Sequence, residues 1–224
     1  MLMTDKVSSN NWLIYKHLVN GIFANEEMIK KIQNKLPYMF QIAQIESSRA
    51  GKTGMEVGSI RERIIVALLI YKFGEANVET EIPVTEPEVD VKLFGEPISI
   101  KTITGKNLGG VKLMWTVDAQ KAKEFQANYY PSCDILLVHI NWNDTGGFYY
   151  IPLAAQKRVF DEIGRQNYIK LPKQGTNPRG VEITKNALVR LVEDSESRKI
   201  EINWHRPEVS FNPYKRWVDF WRED

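Results

Sequence analysis

"EPEVDVKLFGEPISIKTITG", residues Glu86–Gly105, is the stretch from which the rest of the chain is best read. Apolar and polar residues alternate on both sides of "FGEP", where Gly95 and Pro97 signal a turn, so a hairpin of two strands is predicted. With the turn over those four residues Leu93 pairs with Ile98, Asp90 faces Lys101 and Lys92 faces Ser99. Alternation then puts Val89, Val91, Leu93, Ile98 and Ile100 on one apolar face, and Asp90, Lys92, Ser99 and Lys101 on the other. One face of the hairpin packs. The other presents a carboxylate beside an amine.

Working outward, "NNWLIYKHLVNGIF" and "NEEMIKKIQNKLPYMFQIAQIE" have helical periodicity, with Pro37 expected to kink or break the second. A polar loop, Ser47–Gly58, leads to a helix predicted from Ser59 to about Phe73 and closed by Gly74. "VETEIPV" is expected to be a strand ahead of the hairpin. Beyond it, "TGKNLGG" leads to a further strand and the helix "DAQKAKEFQAN". "CDILLVHINW" reads as a buried central strand and "GFYYIPL" as its neighbour. "AAQKRVFDEIG" is helical, and "VEITKNALVRLVED" starts as a strand and becomes a helix. The tail "NPYKRWVDFWRED" is aromatic and basic and is expected to pack. Interleaved helices and strands predict an α/β fold with a mixed central β-sheet flanked by α-helices. The reading is one domain over 1–224, with N-terminal helices at about 10–47 packed on it.

The composition is that of an ordinary globular protein of 224 residues, long enough for a substantial core. The longest apolar run is too short to span a membrane, and the start lacks the pattern of a secretory signal. The single cysteine, Cys133, fits a reducing cytoplasm and reads as a buried structural thiol. A net charge of +2 says little, but its distribution says more. Lys101–Lys123 holds five lysines and one acid, and Arg165–Arg179 holds four cations and no acid. Phosphate backbones attract such clusters, although a solvated surface with acids nearby in space explains them as well. The histidines have no metal-ligand spacing, His139 reads as structural, and no phosphate-loop or dinucleotide fingerprint is present.

A carboxylate beside a lysine can be a plain cross-strand ion pair, worth little at a surface. It can also flank a divalent metal, with Asp90 as oxygen ligand and Lys101 orienting or deprotonating the attacking water. A carboxylate on one strand and an acid-x-lysine triplet on the next resembles the PD-(D/E)xK nucleases. "PEVD" stands here for Pro-Asp, and "SIK" for acid-x-Lys, with Ser99 in place of the second acid. Asp90-Val91-Lys92 also spells D-x-K, a register that would need Glu79 or Glu81 upstream. Lys101 is preferred because it lies opposite Asp90. Glu62 is the candidate for the missing acid. It shares a helical face with Val66, Leu69 and Phe73, a face expected on the sheet. Its competing reading is a capping box with Ser59, and Glu56 is the alternative donor.

Glu62, Asp90 and Lys101 at these separations, with Met55 seven residues before Glu62, resemble the type II restriction endonucleases of the ThaI kind. The resemblance implies a restriction-endonuclease-like fold and a homodimer on double-stranded DNA. It implies Mg2+-dependent cleavage of both strands, with blunt ends within CGCG, and neither a membrane nor a small-molecule cofactor. In that setting "RAGKTGMEVG" acquires a role. Met55 between glycines, preceded by Arg49 and Lys52, suits an apolar wedge entering a base stack from the minor groove; the other reading is a core gap-filler. Lys106 and Asn107 can hold scissile-strand phosphates. Lys173, Gln174, Asn177 and Arg179 carry side chains that read base edges, or form an ordinary polar turn. The rival functions are a structure-selective nuclease of the same superfamily, such as a junction resolvase or repair nuclease, and a non-catalytic DNA-binding protein.

Overall fold

The computed structural model describes residues 15–49, 52–53, 56–83, 86, 88–116, 118–172 and 180–223, without the side chains of 49, 52 and 53. The predicted wedge Met55 and the predicted base readers Lys173, Gln174, Asn177 and Arg179 lie outside these residues, as do the side chains of Arg49 and Lys52.

Helix α1 covers 15–24, and α2 (Glu26–Glu46) follows directly, its first turn capped by the Asn25 side chain. Two short strands, β1 (Ser48–Arg49) and β2 (Lys52–Thr53), pair antiparallel at the base of the polar loop. Then come α3 (Val57–Phe73), β3 (Val78–Glu79), β4 (Val91–Leu93) and β5 (Glu96–Thr104). After β6 (Val111–Met114) and α4 (Ala119–Asn128) the chain forms β7 (Asp134–Ile140) and β8 (Asp144–Ile151). The rest is α5 (Leu153–Ile163), α6 (Arg165–Tyr168), β9 (Ile169–Lys170), β10 (Val181–Ile183), α7 (Lys185–Glu193), β11 (Arg198–Trp204) and α8 (Lys215–Phe220).

The main sheet has six strands in the order β11-β8-β7-β5-β4-β3, antiparallel except for the β5–β7 pair. A smaller antiparallel sheet has the order β6-β10-β9. The expected mixed α/β architecture is present. Each face of the main sheet has its own core, because successive side chains of a strand point to opposite faces. Leu136, Val138 and Ile140 of β7 pack with α1, α2 and α3 through Tyr15, Ile32, Phe40, Ile65 and Leu69. Ile135 and Leu137 face the other way and pack with Phe160, Tyr168, Leu188 and the small sheet. Buried on both faces, β7 is apolar along nearly its whole length, as a central strand must be.

Several local expectations are corrected. Pro37 does not break α2, which runs through it with Pro37 buried. Helix α3 begins at Val57, two residues before the predicted Ser59 start, and ends at Gly74 as expected. Its fully buried stripe is Arg61, Ile65 and Leu69; Glu62, Val66 and Phe73 flank it, half-buried. Among the described residues of "VETEIPV", Val78 and Glu79 alone form a strand. The tail is not packed: Tyr214, Trp217, Phe220 and Trp221 are all exposed.

The hairpin has the expected faces but a register shifted by two. Val91 pairs with Ile98 and Leu93 with Glu96, so the turn is Phe94–Gly95 alone. Both residues have positive φ, 54° and 83°, as in a two-residue hairpin turn that follows the strand twist. Phenylalanine is unusual there. The Phe94 amide donates to the Asn77 carbonyl, and its ring packs edge-on to Phe73 of α3 at 5.7 Å, which holds the turn. A shift of two leaves every side chain on its face. Val91, Leu93, Ile98 and Ile100 are fully buried, while Asp90, Ser99 and Lys101 stay together on the other side.

Candidate active site

Asp90 lies just ahead of β4, and its amide donates to the Ile98 carbonyl at 3.0 Å. Its Oδ2 accepts three hydrogen bonds, from the Ile100 amide at 2.6 Å, the Ser99 hydroxyl at 3.2 Å and the Lys101 ammonium at 3.2 Å. Among the described residues Oδ1 accepts none. Asp90 is therefore fixed through one oxygen, with the other left open. Lys101 has only 15% of its side chain exposed, so this pair is not the screened surface bridge of the plain reading.

Glu62 approaches the pair from α3. Burial is the main reason its carboxyl is pushed up to about 7; the charge of Asp90 adds to the rise and Lys101 opposes it. The capping-box reading loses its basis because Ser59 lies inside the helix, past the Glu56 cap position. The alternative D-x-K register loses its lysine too. Lys92 pairs with Glu86 at 2.9 Å, away from Asp90. Lys106 and Asn107 are exposed in the turn after β5, and the His139 ring bonds the Gly105 carbonyl at 2.8 Å there, a structural role as expected. Cys133 is buried and its thiol is pushed up to about 12, mainly by burial.

No group of three or more His, Cys, Asp or Glu able to hold a metal occurs among the described residues. Mg2+ does not need one, since it keeps several waters and takes one or two carboxylates. The donor set here fits that habit: an open Asp90 oxygen, and a Glu62 carboxyl raised mainly by burial and further by the Asp90 charge, whose ionised form a dication would favour.

Two residues near the site escape the sequence reading. Glu88 shares the parity of Asp90, which is the signal that could have found it. It is half-buried and accepts from the Ser132 hydroxyl at 2.9 Å, and burial holds its carboxyl above the usual range. Arg61 precedes Glu62 and donates to the Thr104 hydroxyl at 2.9 Å; burial lowers its guanidinium to about 10. Nothing in sequence separates a buried arginine from a solvated one.

The model of the restriction endonuclease ThaI family matches residues 22–223. The chain belongs to the ThaI restriction endonuclease family. It is a type II restriction enzyme and so a site-specific nuclease, with the restriction-endonuclease fold. A solved restriction endonuclease in complex with substrate DNA is 62% identical, with a TM-score of 0.86 over 92% of this chain and 99% of that one. No curated protein matches the sequence. Among the described residues, no helix is long and apolar enough to cross a membrane.

Proposed function

We propose that this member of the family hydrolyses both strands of duplex DNA with Mg2+, within CGCG and leaving blunt ends, and does so as a homodimer. The observation that carries the reading is Asp90 bonded to Lys101 at 3.2 Å beside the desolvated carboxyl of Glu62. Family membership supports the reaction class. The substrate DNA held by the 62%-identical neighbour supports DNA as substrate. The cut site and stagger rest on the likeness to ThaI-type enzymes, and a palindrome suits a two-fold symmetric dimer.

In this reading Asp90 and Glu62 hold the cation, which when bound would polarise the scissile phosphate and help water to ionise. Lys101 orients the attacking water and stabilises charge developing on the phosphoryl oxygens. Oδ2 of Asp90 keeps the ammonium in place, and Ser99 and the Ile100 amide keep Asp90 in place. Lys106 and Asn107 hold scissile-strand phosphates. Arg49 and Lys52 precede Met55, which enters the base stack. Lys173, Gln174, Asn177 and Arg179 read base edges.

The test is digestion of a plasmid with Mg2+, followed by sequencing of the ends. Blunt ends within CGCG on both strands support the reading. Cutting confined to branched or damaged DNA would favour a structure-selective nuclease, and no cutting with Mg2+ would overturn it. Met55→Ala should weaken specific binding without lowering the melting temperature, read beside a base-analogue fluorophore that reports unstacking.

A further inference from the structure

Among the described residues, Arg61 is a cation without an anion. It is 6% exposed, in the α3 stripe that faces the sheet, between the core and the catalytic edge. Its guanidinium lies over the Phe40 ring, 5.6 Å from the centroid, and Nη1 donates to Thr104. Nε is buried and has no acceptor among the described residues. Among the described residues, no carboxylate lies within ion-pair distance of Arg61, whereas Arg158 at the surface holds both Asp194 and Glu196. Taking a guanidinium out of water costs stability unless an anion accompanies it. An apolar side chain of similar length would fill the same space without that cost.

The surroundings indicate where the anion comes from. Thr104 is exposed at the end of β5, three residues beyond Lys101, and the turn with exposed Lys106 and Asn107 follows it. The buried stem thus brings Nη1 to the exposed Thr104 hydroxyl, at the end of the strand that carries Lys101. We propose that Arg61 is a DNA phosphate-binding residue, whose guanidinium takes oxygens of one backbone phosphate next to the cleavage position. Thr104 fixes the fork and Phe40 backs its face. A phosphodiester offers the paired, planar-accessible oxygens that arginine suits better than lysine does. The inference rests on the nuclease reading above. Its particular consequence is a change of sign: Arg61 weakens the free protein and strengthens the complex.

Arg61→Met removes the charge and keeps most of the volume. The free variant should melt at the parent temperature or above it. Its affinity for target duplex, measured with Ca2+ in place of Mg2+, should fall roughly tenfold or more. The slope of log affinity against log salt should become shallower by about 0.9 for each phosphate that is no longer neutralised. A neutral methylphosphonate moved along the duplex should weaken the parent at one symmetric pair of positions and add nothing there to Arg61→Met. If Arg61→Met melts well below the parent and its salt slope is unchanged, Arg61 is structural and the inference is overturned. Should Arg61→Met fail to fold, Arg61→Lys decides: a methylphosphonate profile identical to the parent's overturns it, and a reduced penalty at one position supports it. A parent that binds no duplex DNA in Ca2+ would bring down the nuclease reading itself, an outcome distinct from a parent that binds and a variant that binds equally.

Discussion

Asp90, just ahead of β4, and Asp134 of β7 lie on either side of β5, and both meet Ile98: the Asp90 amide bonds its carbonyl, and Asp134 pairs with it across the β5–β7 ladder. Each accepts three hydrogen bonds. Asp134 receives the Tyr15 and Tyr150 hydroxyls on Oδ2, both at 2.7 Å, and the Leu153 amide on Oδ1 at 2.6 Å. Both its oxygens are used, all donors are neutral, and together they tie α1 and β8 to the start of α5. Asp90 takes all three donors on one oxygen, one of them a cation, and faces a second acid. The count of hydrogen bonds does not separate a structural carboxylate from a chemical one. In the proposed reading the distribution over the two oxygens, and the company kept, do.

The comparison is broken most directly by exchanging the losses. Asp90→Asn and Lys101→Ala should each cut the cleavage rate roughly 10^3-fold, with melting temperature and binding in Ca2+ little changed. Asp134→Ala should do the opposite. Three buried donors left without an acceptor cost roughly 3–5 kcal/mol, or a drop of the order of 10 °C in melting temperature for a domain of this size, while the folded fraction cuts normally. An Asp134→Ala protein that is stable and inactive would reverse the assignment.

Glu62→Gln should lower cleavage by roughly 10^2-fold and leave stability near neutral pH intact or better. The pH dependence sharpens this. Glu62 holds its proton up to about 7 in the folded chain against an ordinary 4.5, so the folded state binds more protons between those values. Metal-free stability should therefore fall as pH rises from 4.5 to 7 and then level off. Melting curves of the parent across that window should show the fall, and those of Glu62→Gln should lack its share. The smallest effect is expected at Lys92→Ala, which removes only the bridge to Glu86: within about 1 kcal/mol in stability, and no change in plasmid cleavage. If Lys92→Ala is inactive and Lys101→Ala cuts, the site has been built on the wrong lysine.

The hairpin and the contact of Asp90 with Lys101 were legible because parity is robust. A turn two residues tighter than expected moved Asp90 from opposite Lys101, yet kept both on one face and in contact. The central strand, the helices after it and the thiol of Cys133 were legible for a similar reason, since burial on both faces leaves a continuous apolar run. Phe94 in a left-handed turn was not, because it depends on Phe73 and Asn77, contacts distant from the turn itself. The capping box at Ser59 failed because α3 starts earlier than any local signal announces. The aromatic tail misled because hydrophobicity alone does not say whether a residue has anything to pack on.

The one parallel pairing in the main sheet sets the order in which this enzyme can become whole. Glu62, Asp90 and Lys101 come from a single run of chain, α3 through β5, whose hairpin closes over a two-residue turn. The other edge of β5 has no partner until β7 arrives, after β6 and α4 have been laid down. Parallel pairing of such distant segments closes a long loop and is slow compared with hairpin formation. Refolding should therefore show early protection of the β4–β5 amides and late protection along β7, so that the strand carrying Lys101 is among the last to be locked on both sides.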